Sequence, residues 1–145
     1  AGVSFADIKN LKLFKKRINE LCKLTDKDLI RKVDVDMEIT LNNITKEFVE
    51  CIDELKPFGK GNPKPSFMSK NLQVLSPRII GKNKNAAKMV VVDEDGYKID
   101  AVYFGDATEF VNYVSENKNF EFVYYPQINR FMGRKNLQIT ITSYK

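Results

Sequence analysis

Apolar positions change their spacing part-way along this chain. Ile8, Leu11, Phe14, Ile18, Leu21 and Cys22 lie three or four residues apart, which is one face of a helix. Ser4-Phe5-Ala6-Asp7 has the Ser-x-x-Asp form of a helix start, so the pattern predicts a helix over about 5–22. Thr25-Asp26-Lys27-Asp28 predicts a short turn or a fresh helical start. Val33, Val35, Met37 and Ile39 then alternate with polar residues, as in a half-buried strand. Asp34, Asp36 and Glu38 fall on its solvent face. Thr45 predicts the cap of a second helix striped by Phe48, Val49, Ile52 and Leu55, and Pro57 stops it.

The eleven residues Pro57 to Phe67 hold three prolines and two glycines, a composition that specifies a backbone shape. Lys60 and Lys64 stand there beside the rings of Phe58 and Phe67. The rings read either as a stacking surface for an anionic chain or as plugs for neighbouring cores. Beyond this loop the spacing drops to two. Strands are predicted over 72–80, with Pro77 marking an edge or a bulge, and over 86–92 and 97–104, joined by the hairpin signal Glu94-Asp95-Gly96. Asp106-Ala107-Thr108-Glu109 opens a short helix with Phe110, Tyr113 and Val114 on one face. Two more strands, 120–128 and 134–143, flank a turn over 129–133. Three strands, a helix and two strands is the order of an OB-fold, a five-stranded Greek-key barrel. The expected fold is therefore α+β: a helix–strand–helix remnant of an α/β domain over 1–55, a Pro/Gly-rich connector over 56–70, and a five-stranded OB-fold β-barrel with one helix over 71–145.

Charge sharpens this picture. The net charge is +5, from 24 basic and 19 acidic residues. Twelve of the basic residues and none of the acidic ones fall within 56–88 and 122–145. OB-folds commonly present strands 2 and 3 and the loops between strands 1–2 and 4–5 to an oligonucleotide. Lys82, Lys84 and Lys88 fall in or beside the first loop, and Arg130, Arg134 and Lys135 in the second. The two basic stretches are thus expected to gather on adjoining rims and attract a polyanion. Lys60, Asn62, Lys64 and Arg78 extend the expected contact set. Phe131, between Arg130 and Arg134, reads as a base-stacking ring or a loop plug. One of Tyr103 and Phe104 must point outward, and likewise one of Tyr124 and Tyr125.

Composition removes several chemistries. There is no histidine, so a triad or a histidine-bearing zinc site cannot be built from this chain alone. Cys22 and Cys51 lack metal-type spacing and read as small apolar residues on helix faces. No apolar run is long enough for a membrane span and no secretory pattern opens the chain, so a cytoplasmic protein without a membrane partner is expected.

The sequence resembles the C-terminal part of the RecJ family of single-strand-specific DNA exonucleases. The resemblance covers most of the chain. It is sharpest over Leu55-Lys56-Pro57-Phe58-Gly59-Lys60-Gly61-Asn62-Pro63-Lys64-Pro65-Ser66-Phe67, which looks like the family's L-x-P-F-G-x-G-N-x-x-P-x-F motif. Asn129 to Gln138 looks like its N-x-x-x-G-R-x-x-L-Q hairpin, and Ala1-Gly2 like the close of a glycine-rich segment of its second core domain. The resemblance implies a 5′→3′ exonuclease of DNA repair and recombination, with Mn2+ or Mg2+ held by an upstream Asp-His-His domain. None of those metal-binding motifs is present, so no catalytic or metal-binding residue is carried onto this chain. The expected partners are single-stranded DNA and upstream catalytic domains, and the chain alone is expected to be inactive. An RNA-binding OB module and a structural or protein-binding barrel are the alternatives.

Overall fold

Helix α1 spans Asn10–Leu21 and α2 spans Asp26–Leu29 in this computed structural model, which describes residues 4, 7–30, 32–131 and 133–145 and only the backbone at 131 and 134. Helix α1 begins later than its apolar spacing predicts, because Asp7 makes a turn first. Its carboxylate accepts the Lys9 N–H at 2.9 Å and its carbonyl the Asn10 N–H at 3.0 Å. Phe5 and Ala6, in the predicted start, lie outside the described residues. The fresh start at Thr25 is present as a capping box: Asp28 accepts the Thr25 N–H at 2.8 Å. Packing divides the chain into Ala1–Lys32 and Val33–Lys145. No residue of α1 or α2 is buried.

The second unit starts well before the expected boundary at residue 55. Its elements are β1 (Met37–Glu38), a 3-10 turn (Leu41–Asn43), α3 (Lys46–Asp53), β2 (Phe67–Ile80), β3 (Ala86–Val92), β4 (Lys98–Phe104), α4 (Ala107–Glu116), β5 (Phe120–Phe131) and β6 (Arg134–Tyr144). Leu41, Ile44 and Ile52 share one core with Phe110, Phe122 and Ile139, so the 33–55 segment packs with the barrel. The predicted half-buried strand over 33–39 shrinks to two paired residues, parallel to β2, with Val33 and Met37 exposed. Polar groups attach it instead. Asp36 accepts the Ser66 N–H at 2.8 Å, and Glu38 pairs with Lys70 at 2.7 Å. Helix α3 forms where its stripe predicts, capped by the Thr45 hydroxyl on the Phe48 N–H at 3.1 Å. Leu55 falls beyond its end and is exposed.

The neighbour order β1-β2-β3-β4-β6-β5, with β5 returning to β2, closes a ring of five strands with α4 between the third and fourth. This is the OB topology. Strand β2 makes the closure by changing partner. Phe67 to Leu72 pair with β5, and Gln73 to Ile80 with β3. Register irregularities fall at Ser69/Leu72 and Leu75/Arg78, where Asn71 and Ser76 take φ of 54° and 50°. Pro77 sits in the second irregularity, which needs no ladder N–H from it. Residues 87, 89 and 91 of β3 and 99 and 101 of β4 point into the core, the period of two read in the sequence.

Tyr124 ties the early segment to the barrel interior. Its hydroxyl lies 2.6 Å from the Ser69 hydroxyl, which donates to the Ile39 carbonyl, so Tyr124 is the donor to Ser69. Burial pushes the Tyr124 hydroxyl from 10.0 up to about 12. The folded state therefore holds this proton where the unfolded chain has lost it. Its contribution to stability is complete below pH 10 and falls as pH rises through 12, by at most about 1.4 kcal/mol per pH unit. Tyr124→Phe is expected to cost about 1 kcal/mol at neutral pH and to flatten that alkaline slope. Denaturant titrations at pH 7, 10 and 11 measure both, and an unchanged slope contradicts the assignment.

Candidate nucleic-acid interface

Alternation along β4 resolves the paired aromatic residues. Ile99, Ala101 and Tyr103 face inward, and Tyr103 stacks on Phe110 with centroids 4.3 Å apart. Phe104 therefore points out and is 62% exposed. On β5 the inward ring is Tyr124 and the outward one is Tyr125. Gly105 makes room for the inward turn of Tyr103. It has φ of 155°, and a Cβ there would lie 2.6 Å from the Tyr103 hydroxyl.

The residues of the Pro/Gly connector hold the connector itself. Asn62 donates its side-chain amide to the carbonyls of Leu55 at 2.7 Å and Pro57 at 3.1 Å. Gly59 and Asn62 exchange backbone hydrogen bonds at 2.8 and 3.1 Å. Lys64 places its ammonium over the Tyr125 ring, 3.8 Å from the centroid, a cation–π contact. Desolvation lowers its pKa. Phe67 is buried with its ring edge-on to Phe48, and Phe58 packs against the core. Of the five residues singled out in this loop, only Lys60 is left exposed without an internal partner among the described residues.

Arg78 and Lys88 are cross-strand partners on β2 and β3. They line a groove of about 350 Å³ with Ser76, Met89, Val90 and Asp100. Lys88 is partly neutralised there by Asp100 at 3.0 Å. Lys82 and Lys84 lie exposed in the loop between β2 and β3, and Lys84 takes a φ of 52°. Arg130 and Lys135 are cross-strand partners near the tip of the β5–β6 ribbon, both exposed. Phe131 and Arg134 close the same ribbon as backbone partners, and their side chains lie outside the described residues. Among the described residues, Arg78, Lys82, Lys84, Arg130 and Lys135 make no ion pair.

The two basic loops do not gather on adjoining rims. The β2–β3 loop adjoins the end of β4, since Ala86 pairs with Phe104. The β5–β6 ribbon tip adjoins its start, since β6 runs parallel to β4 with Asp100 opposite Gln138. The seven residues of β4 put six steps between these ends, about 20 Å at strand rise. The chain path thus frames a surface with cations instead of concentrating them. At the β4 start, Lys135 and Asn136 share a groove of about 510 Å³ with Lys46, Tyr97 and Lys98. Lys46 and Lys98 were not foreseen, because one belongs to a helix and the other to a hairpin far apart in sequence. Phe104 was legible only as half of a pair. Cys22 and Cys51 are free and exposed, Cys51 on α3 and Cys22 just beyond the end of α1.

Residues 35–143 match the family described as the RecJ OB domain. The chain belongs to the RecJ family. The single-stranded-DNA-specific exonuclease RecJ of Bacillus subtilis is 32% identical over 127 residues, 86% of this chain and 16% of that protein. The protein of the same name from Haemophilus influenzae is 32% identical over 107 residues, 73% of this chain and 18% of that protein. This RecJ-family chain therefore spans less than a fifth of either relative. Its fold matches the crystal structure of RecJ in complex with Mn2+ from Thermus thermophilus, with a TM-score of 0.69 at 15% identity, over 96% of this chain and 19% of that one. Among the described residues no helix is long and apolar enough to cross a membrane.

The connector geometry gives a direct test of role. Asn62→Ala removes two hydrogen bonds to the carbonyls that follow α3, and is expected to lower stability by about 1 kcal/mol. Chemical denaturation measures this. A variant as stable as the parent shows that Asn62 has no structural duty and returns it to the contact set.

Proposed function

We propose that this chain is the strand-holding part of a single-strand-specific DNA exonuclease whose hydrolytic centre lies elsewhere in the same protein. The observation that carries the proposal is the pair of unneutralised basic loops at opposite ends of β4. Cations about 20 Å apart along one strand suit a chain of phosphates laid across the face, within the roughly 4–16 nucleotides taken by an OB domain. A point cluster would suit a single phosphate. RecJ-family membership and the name of both relatives, single-stranded-DNA-specific exonuclease, support DNA as the polyanion.

On this reading the whole enzyme degrades unpaired DNA from 5′ to 3′ in cytoplasmic repair and recombination. This domain lies beside the upstream catalytic domains and feeds them strand. The Thermus protein was crystallised with Mn2+, and Mn2+ or Mg2+ supplies the Lewis acid for phosphodiester hydrolysis. The residues here do not fit such a metal: among the described residues no three cysteine or acidic side chains gather as ligands, and the chain has no histidine. The contribution of this chain is orientation, which alone lowers barriers by several kcal/mol when a substrate is held in line.

Fluorescence anisotropy with a labelled oligothymidine at several salt concentrations tests the proposal. Affinity is expected to fall steeply as salt rises, with a slope of about 0.7 per neutralised phosphate. Lys82→Glu with Lys84→Glu is expected to lower that slope by more than one unit, and Lys135→Glu by a smaller step. Salt-independent binding, or none at millimolar protein, overturns the proposal. A preference for an RNA strand of the same sequence assigns the domain to RNA handling, since such a preference requires contacts that read the 2′-hydroxyl.

A further inference from the structure

Register across the outer sheet places three apolar side chains in one row. Ile80 of β2 pairs with Ala86 of β3, and Ala86 pairs with Phe104 of β4. Cross-strand partners share a face, so the row lies on the same side as Lys88 and Asp100. Ala86 is only 6% exposed, while Ile80 is 37% and Phe104 62% exposed. The middle residue is thus covered by the two that flank it, and the small alanine cannot cover the Phe104 ring. The next row along the strands is Arg78, Lys88 and Val102. On the other side begins the loop with Lys82 and Lys84, whose last residue accepts the Gly105 N–H through the Asn85 carbonyl at 3.0 Å.

We propose that Ile80, Ala86 and Phe104 form a base-stacking shelf, on which a nucleobase of the bound single strand lies against the Phe104 ring while its flanking phosphates reach Arg78 on one side and Lys82 and Lys84 on the other. This inference rests on the strand-binding reading and adds the direction in which the strand faces: bases toward the sheet, phosphates toward its borders. Charge supports that direction. Asp100 sits on the outer face between the two grooves and opposes a phosphate over the middle of β4. A base offers N–H donors to such a carboxylate, the ring N3–H of thymine or the amino group of adenine or cytosine. The ring itself has no packing duty in the core cluster, whereas its neighbour Tyr103 has. Stacking on an exposed ring is tolerant of sequence, because every base has a π-face.

The test uses this chain with oligothymidine and with an oligomer of equal length and charge that lacks bases. Phe104→Ala is expected to weaken binding of oligothymidine about tenfold with an unchanged salt slope, since no phosphate contact is lost. Phe104→Tyr, which keeps an aromatic face, is expected to stay within about twofold. The base-free strand is expected to bind the parent and Phe104→Ala equally. Thermal midpoints of the variants check folding; should Phe104→Ala unfold, Phe104→Leu, which keeps apolar bulk without a ring, takes its place. Binding by the parent that Phe104→Ala leaves unchanged overturns the shelf while leaving the strand-binding reading intact. A lowered salt slope in Phe104→Ala also overturns it. Failure of the parent to bind any single strand overturns both.

Discussion

The change of partner within β2 is the constraint on which the barrel depends. One strand bonds to β5 through its first half and to β3 through its second, and among the described residues no other strand supplies both contacts. Without the two irregularities the strand would stay with one neighbour and the sheet would remain open, exposing two edges of unpaired N–H and C=O groups. The left-handed backbone at Asn71 and Ser76 provides the turn, and Pro77 costs the ladder nothing where the register already breaks. The same bend aims Arg78 and Ile80 onto the outer face, so closure of the barrel and shape of the candidate interface have one cause.

Closure also explains how the N-terminal part of this unit is recruited. Strand β1 adds to β2 in parallel, and Ser69, next to the first irregularity, receives the Tyr124 hydroxyl and donates to Ile39. The interior thus contains a polar chain with each hydroxyl satisfied, which makes a buried tyrosine tolerable. Leu41, Ile44 and Ile52 complete the core from outside the five-stranded ring. The segment read as a remnant of another domain is, in packing terms, a plug and strap for the barrel from Val33 onward.

Electrostatics on this surface follow from what folding brings together. The acid-free stretches of sequence acquire acids from elsewhere: Asp53 beside Lys56, Glu38 beside Lys70 and Asp100 beside Lys88. Of the cations in those stretches without an ion pair among the described residues, Arg78, Lys82 and Lys84 lie by the end of β4 and Arg130 and Lys135 by its start, while Lys60 and Lys64 lie in the connector and Lys145 beyond β6. An extended distribution of this kind favours an elongated polyanion and fixes its path, since each border cation acts within about one Debye length.

Much of this was legible in the chain. Period-two spacing placed β3, β4 and β6 within a residue or so, because core-facing side chains on a strand must alternate, and Asp106 and Thr45 announced their helices through cap chemistry that is local in sequence. The strand–helix order was enough for the OB topology, and the Pro/Gly motif was enough for the RecJ resemblance. Local pattern had no access to partners distant in sequence. It overread the strand at 33–39, most of whose apolar side faces no core, and it did not show that Asn62 and Lys64 make internal hydrogen bonds and a ring contact. It left Tyr103 and Phe104 undivided, and it drew the two basic loops together although β4 holds them a full strand length apart. Alternation, caps and turns are set by neighbours along the chain; register, charge pairing and the facing of a surface are set by strands that meet only when the barrel closes.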